Sequence, residues 1–171
     1  PQEWRSRFGR KRMNVPDPRP FEREFEVEAY LDAHADRFVG SFDPNDKSVS
    51  PSVMSPTQVQ VGTAPINYII RYQNTGTYLA ERVLILDTLP SGLQGESLQF
   101  LGSSHACDWY VTDGVLHVLH QDINLPDSTS DEANSHGFIR FSILPETDLL
   151  DGAEIVNIAH IVFDFNEPIV T

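Results

Sequence analysis

Two short segments of this 171-residue chain mirror each other: Asp43-Pro-Asn45-Asp46 and Asp164-Phe-Asn166-Glu167, both of the form D-x-N-[D/E]. Together they bring six oxygen-bearing side chains, Asp43, Asn45, Asp46, Asp164, Asn166 and Glu167. One segment opens the main body of the chain and the other closes it, so their loops are expected to meet at one end. Carboxylates gathered there repel unless a cation neutralises them. A hard ion that takes about 6–8 oxygen ligands suits the set, which makes Ca²⁺ the candidate cofactor. The alternative is local: Asp43 and Asn45 forming Asx-turns and Asp164 ending a strand, each satisfied by backbone N–H groups. The acidic stretch 122–135 lacks the glycine at position 6 of an EF-hand loop and reads as a solvated loop, with a second calcium site as the alternative.

Other chemistry-bearing residues point away from catalysis. His117 and His120 are three apart in an expected strand and face opposite sides. His105 and Cys107 share a face, but two ligands fall short of a zinc site. Cys107, the single cysteine, reads as a small buried hydrophobe, and no internal disulfide is available. No G-x-S-x-G occurs and no orienting pair can be placed around a Cys or His nucleophile. The expectation is that the chain is not an enzyme. Tyr68, Tyr72, Tyr78, Trp109 and Tyr110 offer a possible sugar platform, although core packing explains the Tyr68–Tyr72 spacing equally well. Trp109 and Tyr110 alternate, so at most one is expected to point outward.

The elements that would position these residues are strands. Turn clusters lie at 74–76, 89–92, 113–114 and 151–152, with no amphipathic helix between them. Candidate strands are 58–61, 66–74, 81–88, 97–103, 107–111, 115–120, 137–144 and 154–163. The expected fold is all-β: an immunoglobulin-like Greek-key β-sandwich of seven to nine strands with an extended N-terminal arm. Phe100, Phe138, Phe141, Ile143, Ile155, Ile158 and Ile161 are expected to supply core positions. The formal charge of −13 argues against nucleic acid as a partner, and the apolar runs are too short to enter a membrane as a helix.

Charge is uneven. Residues 1–23 hold seven basic side chains, among them Arg5, Arg7, Arg10, Lys11 and Arg12, against three acids, which makes the arm +4 and leaves −17 elsewhere. Pro16, Pro18 and Pro20 impose an extended path. In 24–31, Phe25, Val27, Ala29 and Leu31 alternate with Glu24, Glu26, Glu28 and Tyr30, the period of a half-buried strand. Three domains are therefore expected: a basic arm (1–23), an alternating strand and connector (24–40) that is a possible intersubunit donor, and a sandwich (41–171). The alternative is that 24–31 folds back on its own sandwich. The start at Pro1, without Met, is expected to mark a processed protein or an excised fragment.

Several strings carry a family resemblance: Ser41-Phe-Asp-Pro-Asn-Asp-Lys47, Ile69-Ile-Arg-Tyr-Gln-Asn-Thr-Gly76, Leu84-Ile-Leu-Asp-Thr-Leu-Pro90, Ser135-His-Gly-Phe-Ile-Arg-Phe141 and the closing Asn157-Ile-Ala-His-Ile-Val-Phe-Asp-Phe-Asn-Glu-Pro-Ile169. Over 41–171 the chain resembles a conserved Ig-like domain of large secreted and cell-surface proteins of Bacteroidota, which often precedes the sorting domain of type IX secretion cargo. The resemblance implies an exported, extracellular, non-catalytic module, with the sorting domain expected beyond Thr171. Asp127-Ser128-Thr129 and Asp87-Thr88-Leu89 look like the O-glycosylation acceptors of that phylum, making Ser128 and Thr88 candidate modification sites. The expected function is a structural subunit of a surface assembly or filament, joined head-to-tail to copies of itself through its arm. The alternative is an accessory glycan- or protein-binding or stalk domain of a larger secreted enzyme or adhesin.

Overall fold

The computed structural model describes residues 44–171, and the chain divides after Phe42. Arg5, Arg7, Arg10, Lys11, Arg12, Phe25, Val27, Ala29, Leu31 and Asp43, with the expected arm and donor strand, lie outside the described residues.

Among the described residues nine strands form two antiparallel sheets. They are β1 (Asp46–Ser50), β2 (Ile66–Gln73), β3 (Val83–Thr88), β4 (Gln99–Ser103), β5 (Asp108–Thr112), β6 (Val115–His120), β7 (His136–Ile143), β8 (Ile158–Phe163) and β9 (Ile169–Val170). One sheet runs β1-β2-β7-β4 and the other β5-β6-β3-β8-β9. Taking β1, β2, β3, β4, β7, β8 and β9 as the seven strands A to G, this is the A-B-E-D and C-F-G order of an immunoglobulin sandwich. The hairpin β5–β6 is inserted between the fourth and fifth of these and extends the second sheet beside β3. The sandwich read from the sequence is therefore the observed fold.

Alternation builds the core. Along β2, Ile66, Tyr68, Ile70 and Tyr72 point inward, and along β3 Val83, Ile85 and Asp87 do the same. Phe141, Ile143 and Ile161 are buried as expected, and Phe100 and Ile155 pack against the core. Phe138 and Ile158 instead lie on outer faces and are exposed. Each fully buried large side chain contributes roughly 1.5–3 kcal/mol. Tyr68 stacks on Phe141 across the β2–β7 pair, at 5.1 Å between ring centroids. Gly137 is required by Tyr72, because a Cβ there would sit 2.2 Å from its ring. Asp113 and Gly114, both at positive φ, make the two-residue turn between β5 and β6.

Three elements depart from the sequence reading, one of them the two-residue β9, which lies beyond the last strand read. Residues 58–61 belong to a short helix, α1 (Pro56–Val61), rather than a strand. Ser55 caps it: its hydroxyl accepts from Gln58 N, the Gln58 side chain accepts from Ser55 N, and Gly62 closes the C-terminus at φ +66. Reciprocal capping outweighs the β-propensity of Val59 and Val61. Strand β1, unread in the sequence because Asp46-Lys-Ser-Val-Ser50 is mostly polar, pairs with β2 along its whole length, Lys47 opposite Ile70.

Candidate functional site

Three inward-facing positions of the sandwich carry polar residues where the alternation calls for apolar ones. Lys47 comes from β1 in the first sheet. Asp87 ends the inward row Val83, Ile85, Asp87 of β3 in the second. Asn157 immediately precedes β8, in step with inward Ala159 and Ile161. Lys47 Nζ crosses between the sheets to Asp87 Oδ2 at 2.5 Å, and both side chains are buried, at 5% and 0% exposure. Aromatic faces wall the ammonium, with the Tyr68 centroid at 4.9 Å and that of Phe141 at 5.8 Å.

The pairing is incomplete. Asp87 Oδ1 and both amide atoms of Asn157, Oδ1 and Nδ2, are buried without a hydrogen bond of normal geometry. Asn157 nevertheless lies near enough to Asp87 and Tyr68 to act on the ionisation of both. An unsatisfied buried polar group costs about 1–3 kcal/mol, so three together make an expensive arrangement. Burial pushes the Lys47 ammonium below its ordinary pKa, against the attraction of Asp87. Burial likewise pushes the Asp87 carboxyl up, against the attraction of Lys47. Desolvation thus drives both partners toward their neutral forms. Two of the trio, Lys47 and Asn157, line a cleft of about 640 Å³ together with Tyr68, between the β1–α1 connection and the segment leading into β8.

The acids singled out at the rim are spent differently. Asn45 Oδ1 accepts from Gln73 N, Asp46 pairs with Arg71 at 2.8 Å in solvent, and Asp164 Oδ1 accepts from Arg82 N while its carbonyl takes the Arg82 guanidinium. Asn166 N donates to Phe163 O, in the turn that also holds exposed Glu167. Among the described residues no three His, Cys, Asp or Glu side chains gather as metal ligands. Asp127 accepts from Thr129 N, Ser130 N and Ser130 Oγ, and the Ser130 bonds hold its carboxyl below the usual range. Ser128 is half-buried and its N–H donates to Asn74 O, whereas Thr88 is exposed at the end of β3. Accessibility therefore favours Thr88, the reverse of what a loop against a strand end suggests.

His117 and His120 face opposite ways as expected. His120 is fully buried between Tyr72 OH at 3.0 Å and Ala106 O at 3.0 Å, while His117 stacks on Tyr110 outside. Tyr68 and Tyr72 are core residues and cannot serve a platform. Trp109 and Tyr110 are both exposed, contrary to expectation, because β5 is an edge strand with all five residues open to solvent. Trp109 stacks on Phe100 of β4 at 5.2 Å.

Sequence reasoning missed the buried trio, although its signal was present: Asp87 shares a face with Val83 and Ile85, and Asn157 one with Ala159 and Ile161. Among solved structures the chain is similar to the major pilin subunit BcpA of Bacillus cereus, with 14% identity, TM-score 0.47, and 74% of this chain and 36% of that one covered. It is also similar to ACE19, the collagen-binding subdomain of the Enterococcus faecalis surface protein ACE, with 15% identity, TM-score 0.45, and 78% and 93% covered. The fold assignment rests on the strand order rather than on these likenesses. A 45-residue stretch is 56% identical to serine O-succinyltransferase of Stenotrophomonas maltophilia. That stretch is 25% of this chain and 12% of that enzyme, and a match of that extent transfers no activity. A family model, described as a domain of unknown function (DUF7619), matches residues 43–171. Over those residues the chain belongs to the DUF7619 family.

Proposed function

We propose that this chain is a non-catalytic structural module of an exported surface assembly, joined to copies of itself through its N-terminal arm. The observation that carries the reading is the open edge of β5. All five of its residues are exposed, and Trp109, Tyr110 and Val111 present apolar surface along a strand whose outer backbone groups pair with no described strand. Such an edge is a template for strand addition, and proteins that do not use it normally blunt it with a charge, a proline or a bulge. The occupant we assign is residues 24–31 of a second copy, whose Phe25, Val27, Ala29 and Leu31 supply a matching apolar row. Arg5, Arg7, Arg10, Lys11 and Arg12 then meet a sandwich (41–171) of charge −13, which makes association weaken with salt. A heterologous contact of this kind grows into rings or open filaments. Export by the type IX route and glycosylation at Thr88 or Ser128 belong to the same reading, on the family resemblance alone.

Exposed Trp109 and Tyr110 favour a second reading, an accessory domain that stacks on a glycan or grips a protein. Sedimentation of the full chain beside a chain lacking residues 1–31 tests the first. Assembly of the full chain that disappears on truncation, with the β-sheet circular-dichroism signal kept, is the expected result. Equal assembly of both overturns the arm, and a monomeric full chain that binds a glycan array through Trp109 establishes the second reading.

A further inference from the structure

Lys47, Asp87 and Asn157 are a buried amine, a buried carboxyl and a buried carboxamide from three segments: Lys47 and Asn157 line one cleft, Lys47 is hydrogen-bonded to Asp87, and Asn157 acts on the ionisation of Asp87. We propose that they form an intramolecular amide: Lys47 Nζ bonds to Cγ of Asn157, the bond from Cγ to Nδ2 breaks, and the amide nitrogen leaves as ammonia. The inference goes beyond the assembly reading and stands whether or not copies of the chain join.

The geometry supplies each part. A nucleophile must be a free amine, and Lys47 Nζ is removed from water with Asp87 Oδ2 as its hydrogen-bond acceptor among the described residues, positioned to take its proton. Desolvation favours that transfer, since it disfavours both the ammonium and the carboxylate. The electrophile must be held beside the amine and polarised. Asn157 has both amide atoms buried and unpaired, next to an Asp87 whose second oxygen is also unpaired. Protonated Asp87 is placed to donate to Asn157 Oδ1 as negative charge develops there. It then passes the proton from Nζ to the departing Nδ2 and ends as the carboxylic acid it was at the point of attack. One C–N bond forms, one breaks, one ammonia is released, and nothing is oxidised or reduced. The product is a neutral secondary amide that removes a buried charge and two orphaned amide atoms, and Asp87 remains to hydrogen-bond its carbonyl. The cleft lined by Lys47 and Asn157 gives ammonia a way out.

The new bond ties β1, an edge strand of the first sheet, to the start of β8 in the second. Residues between 47 and 157 then form a closed loop that contains most of the sandwich.

Intact-mass spectrometry of the purified full chain, followed by a tryptic map, tests this. The full chain is expected to weigh one ammonia less than its sequence, about 17 Da. Trypsin should no longer cut after Lys47, and residues 38–71 and 141–171 should emerge as one branched species. Asp87→Asn and Asn157→Ala should restore the full mass and the cut. Should either variant fail to fold, the unaltered chain decides alone. Full sequence mass with normal cleavage after Lys47 overturns the proposal, and so does a loss of ammonia without the branched species.

Discussion

The rim of the sandwich and its interior both carry aspartates, and they treat the group in opposite ways. Asp46 at the start of β1 meets Arg71 in solvent, and Asp164 after β8 accepts a backbone N–H from Arg82. Both carboxylates are paired, one with a guanidinium of β2 and the other with a backbone N–H ahead of β3. Asp87 sits at zero exposure, with one oxygen on Lys47 and the other on no partner. The same carboxyl ties two segments together in one place and is a dry, half-paired group in the other. Water makes the difference: it screens the rim charges and is excluded from the interior, where an unpaired atom keeps its full desolvation cost. The density of acids along the chain draws attention to the rim, whereas chemistry belongs where polar groups are dry and incompletely paired.

Substitutions at the two places should therefore separate widely. Asp87→Ala is expected to have the largest effect. It strands Lys47 in the interior, at about 3–5 kcal/mol, and forfeits a cross-link whose closure of a loop of roughly 100 residues is worth about 4.7 kcal/mol in the chain-entropy treatment. Urea unfolding reads the sum. The double variant Lys47→Met with Asp87→Leu should recover the first part and not the second. Complete recovery would reduce the trio to an ordinary buried ion pair. Phe141→Ala, which opens a cavity against Tyr68 without touching the polar groups, should cost about 3–5 kcal/mol by the same assay.

A smaller effect separates interior from rim by pH. Burial lowers the pKa of His120 from the ordinary 6.5, outweighing the bond from Ala106, with Tyr72 and His105 as its other neighbours. The unfolded chain then binds more protons than the folded one, so stability is full above about pH 6.5 and falls as pH drops toward the folded value. His105, also lowered by burial, adds with the same sign, and Asp87, raised, works against it. His120→Gln should flatten this decline relative to the parent between pH 7 and 5, and an unchanged slope would contradict the assignment. The smallest effect belongs to the rim: Asp46→Ala should change stability by less than about 1 kcal/mol. Melting in calcium beside melting in EDTA tests Ca²⁺ at the rim: a higher melting temperature with calcium supports the site, and equal temperatures count against it.

The sandwich was legible because alternation is a local property: β2, β6 and β7 fall within a residue or two of where the readings 66–74, 115–120 and 137–144 place them. The helix at 56–61 was missed although Ser55-x-x-Gln58 and Gly62 announce it, because two valines in alternation read as a strand. β1 was missed for a physical reason. Its pairing is set by backbone groups and by one lysine that runs inward, and a lysine in a polar run reads as solvated. Three of the strings behind the family resemblance each hold one member of the trio, Lys47, Asp87 and Asn157. Single segments show a polar residue out of place, but only the packing of two sheets brings the three together.

Pulling one molecule from its two ends measures the central claim most directly. With the amide in place, force cannot extend the residues between 47 and 157. Unfolding the sandwich should then release only the few residues outside that loop, roughly 6 nm at about 3.6 Å per residue. Release of roughly 40 nm, the length of the whole domain drawn out, would show that no covalent bond joins β1 to the segment before β8.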